Sequence, residues 1–245
     1  MAATLVTSNA VEEHILSSIT LPERTRSYTP VSHTDFVDNV KDIAGRVLTG
    51  YSLHKEQYGI AKEGKQMFGT LTYRKQWDIS SSQDMGLSIG IRNSYDKSMS
   101  LGICGGASVF VCENLMMSGE ITMMRKHSGA ILEELKGLIF NVVINSEGKF
   151  RTLHADAQAF KQRDLTDRLA YGTMGRLYGN GVFTERMLPI VKREWNKPSH
   201  EAFEGNTVWG FYNACTEALK KASPQSRMNK QIRLHNEVKA EYGIA

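Results

Sequence analysis

The sequence has little of what membrane proteins and secreted, disulfide-bonded proteins require. No apolar run approaches the ~20 residues that span a bilayer. The start MAATLVTSNAVEEHILSS has neither the basic region nor the clean apolar region of a signal peptide. Cys104, Cys112 and Cys215 are odd in number and lack C-x-x-C spacing, which argues against a disulfide framework and a thiolate metal site. We therefore expect a soluble, cytoplasmic protein with buried cysteines and no membrane partner.

Motifs for metal binding and catalysis are also missing. The seven histidines form no H-x-x-x-H or H-x-x-E-H motif, and for His154 with Asp156 a helix surface is the preferred interpretation. The glycines of Gly102–Gly106 lack the spacing of a nucleotide-binding loop, so a plain turn is preferred. Cys112, His127 and Asn114 have the residue types of an activated thiolate, with nothing further in support. No catalytic residue, metal or cofactor is predicted, and the sequence favours a protein that is not an enzyme.

Composition is that of an ordinary globular domain, with 41% hydrophobic and 23% charged residues in 245. Residues 1–31 are polar, contain Pro22 and Pro30, and are predicted to form an N-terminal arm. Residues 32–245 are predicted to form a single α+β domain. Within it we expect a sheet-rich part over 51–127, a helix-rich part over 128–222 and a basic C-terminal tail over 223–245.

Hydrophobic periodicity sets the predicted elements. Ser32 or Thr34 can cap a first helix that ends near Gly50, with a helical stripe of Phe36, Val40, Ile43 and Val47. Leu87, Ile89 and Ile91 alternate with small or polar residues, and the alternation resumes at Met99, Leu101 and Ile103 after the turn Asn93–Lys97, which predicts a hairpin. Further strands are predicted at Lys65–Arg74, Ser108–Cys112 and Glu120–Lys126, giving an antiparallel sheet of about four or five strands.

Helices are predicted after the sheet. A helical stripe follows Ser128, which can serve as an N-cap, and it runs through Ile131, Leu135, Leu138 and Val142. Three more helices are predicted, one from Asp164, one from Thr184 that contains Pro189, and one from Asn206 through Ala222. The fold class is therefore α+β, an antiparallel sheet with a central hairpin followed by a C-terminal group of helices.

The charge pattern indicates an anionic partner. Net charge is +4, and the segment from Arg46 to Lys75 contains six basic residues but two acidic ones. Cations beside aromatic residues are the ingredients of a groove for single-stranded nucleic acid. The residues predicted to bind phosphate are Arg74, Lys75, Arg92, Lys97, Arg125 and Lys126, and those predicted to stack on bases are Tyr73 and Tyr95. The alternative is that the aromatics belong to the core and the lysines to a solvated rim.

Three segments carry recognisable motifs, namely Asn93–Ser98, then Val111–Asn114 with Lys126–His127, and finally Thr207–Glu217. Together they resemble a phage/plasmid-like family, domain-of-unknown-function 932. The matching motif residues are Asn93, Ser94, Asp96, Cys112, Asn114, His127, Trp209, Tyr212, Asn213, Thr216 and Glu217. The sequence departs from the family pattern at Tyr95, where histidine is usual, and at Lys97, where glycine is usual. The resemblance implies a protein of mobile elements, in the host cytoplasm if a phage encodes it, and implies no established activity.

Two functions of different classes follow. The first is a non-enzymatic, single-stranded DNA-binding protein, an annealing or recombination accessory, because a basic sheet followed by helices is similar in outline to phage annealing proteins. The alternative is a protein-interaction module that inhibits a host restriction or defence component. An enzyme acting on nucleic acid would need clustered carboxylates, and the aspartates are dispersed. We also expect a homo-oligomer, and we expect Asn213, Thr216 and Glu217 to pin the last helix to backbone groups of the sheet.

Overall fold

The structure is a computed structural model, and it describes residues 10–76, 84–110 and 114–242. Within these ranges the chain forms a six-stranded sheet in which each strand pairs antiparallel with its neighbour in sequence. The strands are β1 (Ala10–Val11), β2 (Tyr51–Ala61), β3 (Gln66–Lys75), β4 (Met85–Ser94), β5 (Leu101–Val109) and β6 (Leu115–Arg125).

Helices precede and follow the five long strands. Helices α1 (Glu13–Ser17) and α2 (His33–Val47) lie before β2 in the chain. After β6 come α3 (Ile131–Gln162), α4 (Asp167–Gly179), α5 (Leu188–Asn196), α6 (Val208–Leu219) and α7 (Pro224–Glu241), with short 3₁₀ turns at Glu185–Met187 and Glu201–Phe203. No helix in the described residues is both long and apolar enough to cross a membrane.

One face of the sheet is apolar and carries a core. Leu71 pairs with Ile89 and Ile91 pairs with Ile103, and all four side chains are fully buried. Helices α2 and α3 cover this face, and their buried apolar side chains, such as Val40, join the same cluster. Successive side chains of a strand point to opposite faces, and burial of the apolar set is favourable. The apolar residues of each strand therefore face the helices.

The opposite face of the sheet carries small and polar side chains. Thr72 and Ser88, paired across β3 and β4, share a hydrogen bond of 2.9 Å between their hydroxyls and are buried. On β5 the buried Cys104 packs with Met228 of α7. A second core joins the later part of α3 to α4 through α7, with Phe160 and Phe211 among its fully buried aromatics.

The predicted α+β fold class is confirmed, since an antiparallel sheet is followed by helices. Ser32 caps α2 by accepting a hydrogen bond from the Asp35 N–H at 3.2 Å, as its position predicts. Three local predictions differ from the structure. Strand β2 was not predicted, the strand predicted at Ser108–Cys112 is the end of β5, which stops at Val109, and α3 begins after Ala130 without a side-chain cap from Ser128.

Both ends of the chain contribute more to the core than their composition indicates. The described part of the expected arm contains β1 and α1, and its Leu16, Tyr28 and Val31 are buried. The expected basic tail contains α7, whose Leu234 and Val238 are fully buried. In both segments the apolar residues are few and separated by polar ones. The average composition of each segment therefore does not reveal which of its residues are buried.

Candidate nucleic-acid interface

Three segments that are far apart in sequence meet at the end of the sheet where β4 turns into β5. The first is a tight turn closed by pairing of Thr25 with Tyr28, the second is the β4–β5 turn, and the third follows β6. A cleft of about 300 Å³ lies between them. Its lining residues are Ser27, Tyr28, Lys97, Ser98, Met99, Ser100, Lys126 and His127.

Asn93, near the end of β4, joins these segments beneath the cleft. Its Oδ1 accepts hydrogen bonds from the Ser94 N–H at 2.9 Å and from His127 Nε2 at 2.7 Å. Its Nδ2 donates to the Val31 carbonyl at 2.7 Å and to His33 Nδ1 at 3.0 Å. The side chain is fully buried, so this amide uses its donors and acceptors within the protein rather than with water.

These hydrogen bonds fix the tautomers of both histidines. Because Asn93 donates to His33 Nδ1, that nitrogen carries the lone pair, and His33 Nε2 donates to the Gly64 carbonyl at 3.0 Å. Burial lowers the pKa of His33 to about 4, although the bond to Gly64 acts in the opposite direction. An amide oxygen only accepts, so His127 Nε2 carries a proton and Nδ1 is the nitrogen that can titrate. Burial also lowers the pKa of His127.

Two tyrosines brace the β4–β5 turn. The Tyr28 hydroxyl lies 3.2 Å from the Ser94 carbonyl oxygen and 3.3 Å from that of Tyr95, and donates to them. The Tyr95 ring stacks on the His33 ring, with centroids 3.8 Å apart and planes at 1°, and its hydroxyl accepts from the His33 N–H at 2.8 Å. Tyr95 is therefore part of the packing beneath the cleft.

Asp96 organises the turn itself. Its Oδ1 accepts from the N–H of Ser98 at 3.0 Å and from the Ser98 hydroxyl at 2.5 Å. Its Oδ2 accepts from Lys62 Nζ at 3.0 Å and from Gln66 Nε2 at 2.9 Å. Partial burial by itself raises the pKa of Asp96, but these hydrogen bonds outweigh it and lower the pKa to about 2. The carboxylate is charged at neutral pH and is compensated by Lys62.

Lys97 and Lys126 supply positive charge at the rim of the cleft. Both side chains are exposed, and Lys97 Nζ lies 4.8 Å from the centroid of the Tyr28 ring. The backbone of Lys97 has φ of 62°, in the left-handed region. Within the described ranges neither lysine has a carboxylate oxygen within 4.0 Å of Nζ. Their charge is therefore available to an anion.

The family comparison covers these elements together. The family described as Domain of unknown function (DUF932) matches residues 20–240. The chain belongs to the DUF932 family. The match runs from the turn at Thr25 through almost all of α7, so both the cleft and the helical core are parts of the DUF932 domain.

Other comparisons add little to the DUF932 assignment. A stretch of 94 residues is 32% identical to human alpha-L-iduronidase, covering 36% of this chain and 14% of that enzyme. This chain thus spans a small part of the length of that relative, and no activity is transferred from it. No solved structure matches the chain.

The family-motif residues predicted from the sequence fall into two groups. Asn93, Ser94, Asp96 and His127 surround or underlie the cleft. Asn114 and the α6 residues Trp209, Tyr212, Asn213, Thr216 and Glu217 lie away from it, where α6 meets the start of β6. Cys112 lies outside the described residues.

The second group differs in detail from its expected role. Asn114 Nδ2 donates to Asn213 Oδ1 at 3.0 Å, so Asn213 contacts a side chain beside β6 rather than backbone of the sheet. The Thr216 hydroxyl donates to the Asn213 carbonyl at 2.9 Å, within α6. Glu217 forms an ion pair with Lys220 at 2.6 Å. Thus Asn213 links α6 to the sheet region, whereas Thr216 and Glu217 interact locally.

The residues predicted to bind phosphate do not form one continuous groove. Arg74 and Lys75 end β3, whereas the cleft lies at the start of that strand, where Gln66 pairs with Ser94. Ten residues of strand separate the two ends by about 30 Å. Arg125 is paired with Glu134 at 2.6 Å. Lys97 and Lys126 are thus brought together, and the other predicted cations lie elsewhere or are compensated.

Three more predicted binding residues are buried, namely Tyr73, Arg92 and Tyr95. Tyr73 belongs to the apolar cluster beneath α2. Arg92 donates from Nη1 to the Gln225 carbonyl of α7 at 3.0 Å, and burial lowers its pKa. In this conformation these side chains contribute to packing, in agreement with the alternative that treats the aromatics as core.

Sequence reasoning missed the contribution of the expected arm. Ser27 and Tyr28 line the cleft, and His33 completes the Asn93 network. No spacing connects these positions to Asn93 or His127, because the contacts join residues about 30 to 100 positions apart. A Ser-Tyr pair next to Arg26 in a polar segment is a weak signal at most. No three His, Cys, Asp or Glu side chains converge as metal ligands in the ranges that the structure describes.

Proposed function

We propose that this DUF932 protein is a non-enzymatic single-stranded nucleic-acid-binding protein, an annealing or recombination accessory, that contacts phosphate through the cleft. The main support is that Lys97 and Lys126 line the same concave site. Neither charge is compensated by a carboxylate among the described residues. Ser27, Ser100 and His127 line the same site. Cations and hydroxyl donors are the groups that proteins use to hold phosphates.

The shape of the site favours a single strand. The cleft is a concavity of about 300 Å³. A flexible single strand can place one phosphate into such a concavity, whereas a duplex presents its phosphates on a wide, stiff cylinder. The net charge of +4 favours approach of any polyanion.

Fluorescence anisotropy with labelled oligonucleotides tests the proposal at about 50 mM and 200 mM salt. We expect single strands to bind more tightly than duplexes, with affinity falling as salt rises. The double variant Lys97→Gln/Lys126→Gln should lower the slope of log K against log salt by roughly 1.4, about 0.7 for each lost contact with a single strand. Arg74→Gln/Lys75→Gln, with the same charge change at the other end of the sheet, is the matched control.

Two results contradict the proposal. One is the absence of binding to either form of nucleic acid at low salt. The other is an equal loss in the two double variants, which would assign the affinity to net charge rather than to the cleft.

A second candidate, a protein-interaction module that inhibits a host restriction or defence component, is favoured by a different surface. Phe140 and Ile144 of α3 are 45% and 50% exposed. Nearby, Leu132 lines a cleft of about 360 Å³ with Asp35, Asp38 and other residues of α2. An apolar stripe beside acidic side chains fits a partner with apolar and basic groups. Retention of a host protein by the wild type but not by Phe140→Ser/Ile144→Ser would support this candidate.

Oligomeric state helps to separate the two candidates. We propose that the protein self-associates, since annealing proteins tend towards rings or filaments, whereas an inhibitor can act as a monomer or dimer. Sedimentation velocity with and without single-stranded oligonucleotide measures this directly. Large assemblies favour the first candidate, and a monomer in both conditions favours the second.

A further inference from the structure

We propose that the cleft recognises a terminal phosphate, the phosphomonoester at the end of a nucleic-acid strand, in preference to an internal phosphodiester. This inference rests on the proposed nucleic-acid binding and specifies its ligand. It is carried by the number of free donors among the residues that line the cleft and by the buried His127 among them.

The cleft presents more donors than an internal phosphate can use. Five of its lining residues carry a group that donates to no acceptor in the described part of the chain: Lys97, Lys126, Ser27, Ser100 and, when Nδ1 is protonated, His127. They come from three separate segments and surround one concavity. An internal diester has one charge and two free oxygens, whereas a monoester has nearly two charges and three strong acceptor oxygens. The donor set therefore matches the monoester better.

His127 gives the site a buried donor. Its side chain is 6% exposed, and the bond from Nε2 to Asn93 Oδ1 fixes the ring. Nδ1 has no hydrogen-bond partner among the described residues. A proton on Nδ1 adds a charge and a donor without disturbing the bond to Asn93. Binding of a doubly charged phosphate is thus coupled to proton uptake by His127.

The groups around His127 explain why the ligand is needed for that protonation. The Tyr28 ring lies 5.5 Å away, His33 is neutral, and the Asp96 carboxylate of the turn is held by Lys62. Burial opposes a positive charge on His127 while the cleft, which Lys97 and Lys126 also line, is empty. A bound dianion reverses this balance because it attracts all three cations.

Anisotropy with one oligonucleotide carrying a 5′-phosphate, a 3′-phosphate or only hydroxyl ends tests the inference. We expect one phosphorylated form to bind roughly tenfold more tightly or better, since charge-assisted hydrogen bonds are the strong ones. Inorganic phosphate should compete with that form more effectively than with the hydroxyl-ended form. Equal affinity for the three forms overturns the inference but leaves the proposed function intact, whereas absence of binding to all three contradicts both.

His127→Gln is the specific variant, since its amide N–H can still donate to Asn93 Oδ1 but takes up no proton at neutral pH. We expect it to lose most of the preference for the phosphorylated end, so that the ratio of its affinities for the phosphorylated and the hydroxyl-ended strand falls towards one. Replacement of the exposed His14 by Gln is the matched control. If His127→Gln keeps the full preference, the inference is wrong. Should the variant unfold, a titration of the wild type with inorganic phosphate, followed by the ¹⁵N shift of His127 Nδ1, decides the question, and an unchanged shift contradicts it.

Discussion

The side chains of Asn93 and His127 are joined by a hydrogen bond of 2.7 Å that connects the end of β4 to the segment following β6. Both residues belong to the motif by which the sequence resembles DUF932. Asn93 also bonds to Val31 and His33, so one amide links the sheet to α2 and to the segment before it. These two motif residues therefore hold separate segments of the chain together. His127 Nδ1 takes no part in these hydrogen bonds.

Replacement of Asn93 by Ala should destabilise the protein strongly. The change leaves the Val31 carbonyl, the Ser94 N–H and His127 Nε2 without their buried partner. Each unsatisfied buried group costs about 1–3 kcal/mol, so we expect a loss of about 3 kcal/mol or more in the free energy of unfolding, measured by urea denaturation. Asn145→Ala, at an exposed site on α3, is the control and should change it by less than about 0.5 kcal/mol. Similar losses in both variants would contradict the supporting role of Asn93.

Stability should fall as the pH is lowered through the range in which His33 is protonated only in the unfolded chain. The pKa of His33 is about 4 in the folded protein and near its ordinary value of 6.5 when unfolded. Between these values the unfolded state binds the additional proton, so the stabilising contribution is present above pH 6.5 and is lost towards pH 4. From pH 6.5 to pH 5 this residue alone should remove about 1.6 kcal/mol.

Urea denaturation of the wild type and of His33→Gln at these pH values isolates the effect. The variant should lose most of this pH dependence, while His14→Gln, which removes an exposed imidazole, should keep it. A slope that is the same in all three proteins would assign the acid sensitivity to other groups.

Lys97 combines an unfavourable backbone conformation with a charge at the cleft. At φ of 62° a residue with a Cβ atom is disfavoured by about 1 kcal/mol relative to glycine. Lys97→Gly should therefore be about 1 kcal/mol more stable than Lys97→Ala, in which the charge is lost and the conformation is kept. Both variants should bind single strands more weakly than the wild type. Thermal unfolding and anisotropy together measure the two effects, and equal stabilities of the Gly and Ala variants would refute the backbone argument.

The sequence predicts the β4–β5 hairpin well because local physics decides it. Leu87, Ile89 and Ile91 alternate with small residues, and only one face of a sheet can then be apolar. Strand β2 was not predicted because the side chains of Ser52–Lys55 are exposed and, apart from Leu53, polar; its pairing with β3 identifies it as a strand. Helix α7 was not predicted because its buried residues Leu234 and Val238 are flanked in sequence by charged or polar residues.

The candidate site is less predictable than the fold. Residue type and the family resemblance single out Lys97, Lys126 and His127 as candidates, but they do not indicate which other residues line the cleft with them. Whether a cation is free or paired depends on tertiary contacts, as the bond of Arg125 to Glu134 shows. Whether an aromatic is available depends on burial, as the stacking of Tyr95 on His33 shows. Neither property leaves a periodic signal in the chain.

Asp156 of α3 should control the docking of α7. It is 3% exposed, its Oδ2 lies 3.2 Å from His235 Nε2, and both of its oxygens accept from Lys239 Nζ at 3.0 Å. Burial by itself raises the pKa of Asp156, but these bonds from α7 outweigh it and lower the pKa. Removal of one member of a buried ionic cluster costs about 3–5 kcal/mol, because its partners lose their compensation.

We therefore expect Asp156→Ala to lower the free energy of unfolding by about 3 kcal/mol and to accelerate hydrogen exchange in α7 more than in β4. Asn236→Ala, at an exposed position of α7, is the control and should change the free energy of unfolding by less than about 0.5 kcal/mol. Because Cys104 of β5 shares an apolar cluster with Met228 of α7, loosening of α7 should also expose Cys104 to thiol reagents. A uniform increase in exchange across the chain would show that Asp156 supports global stability rather than the attachment of α7.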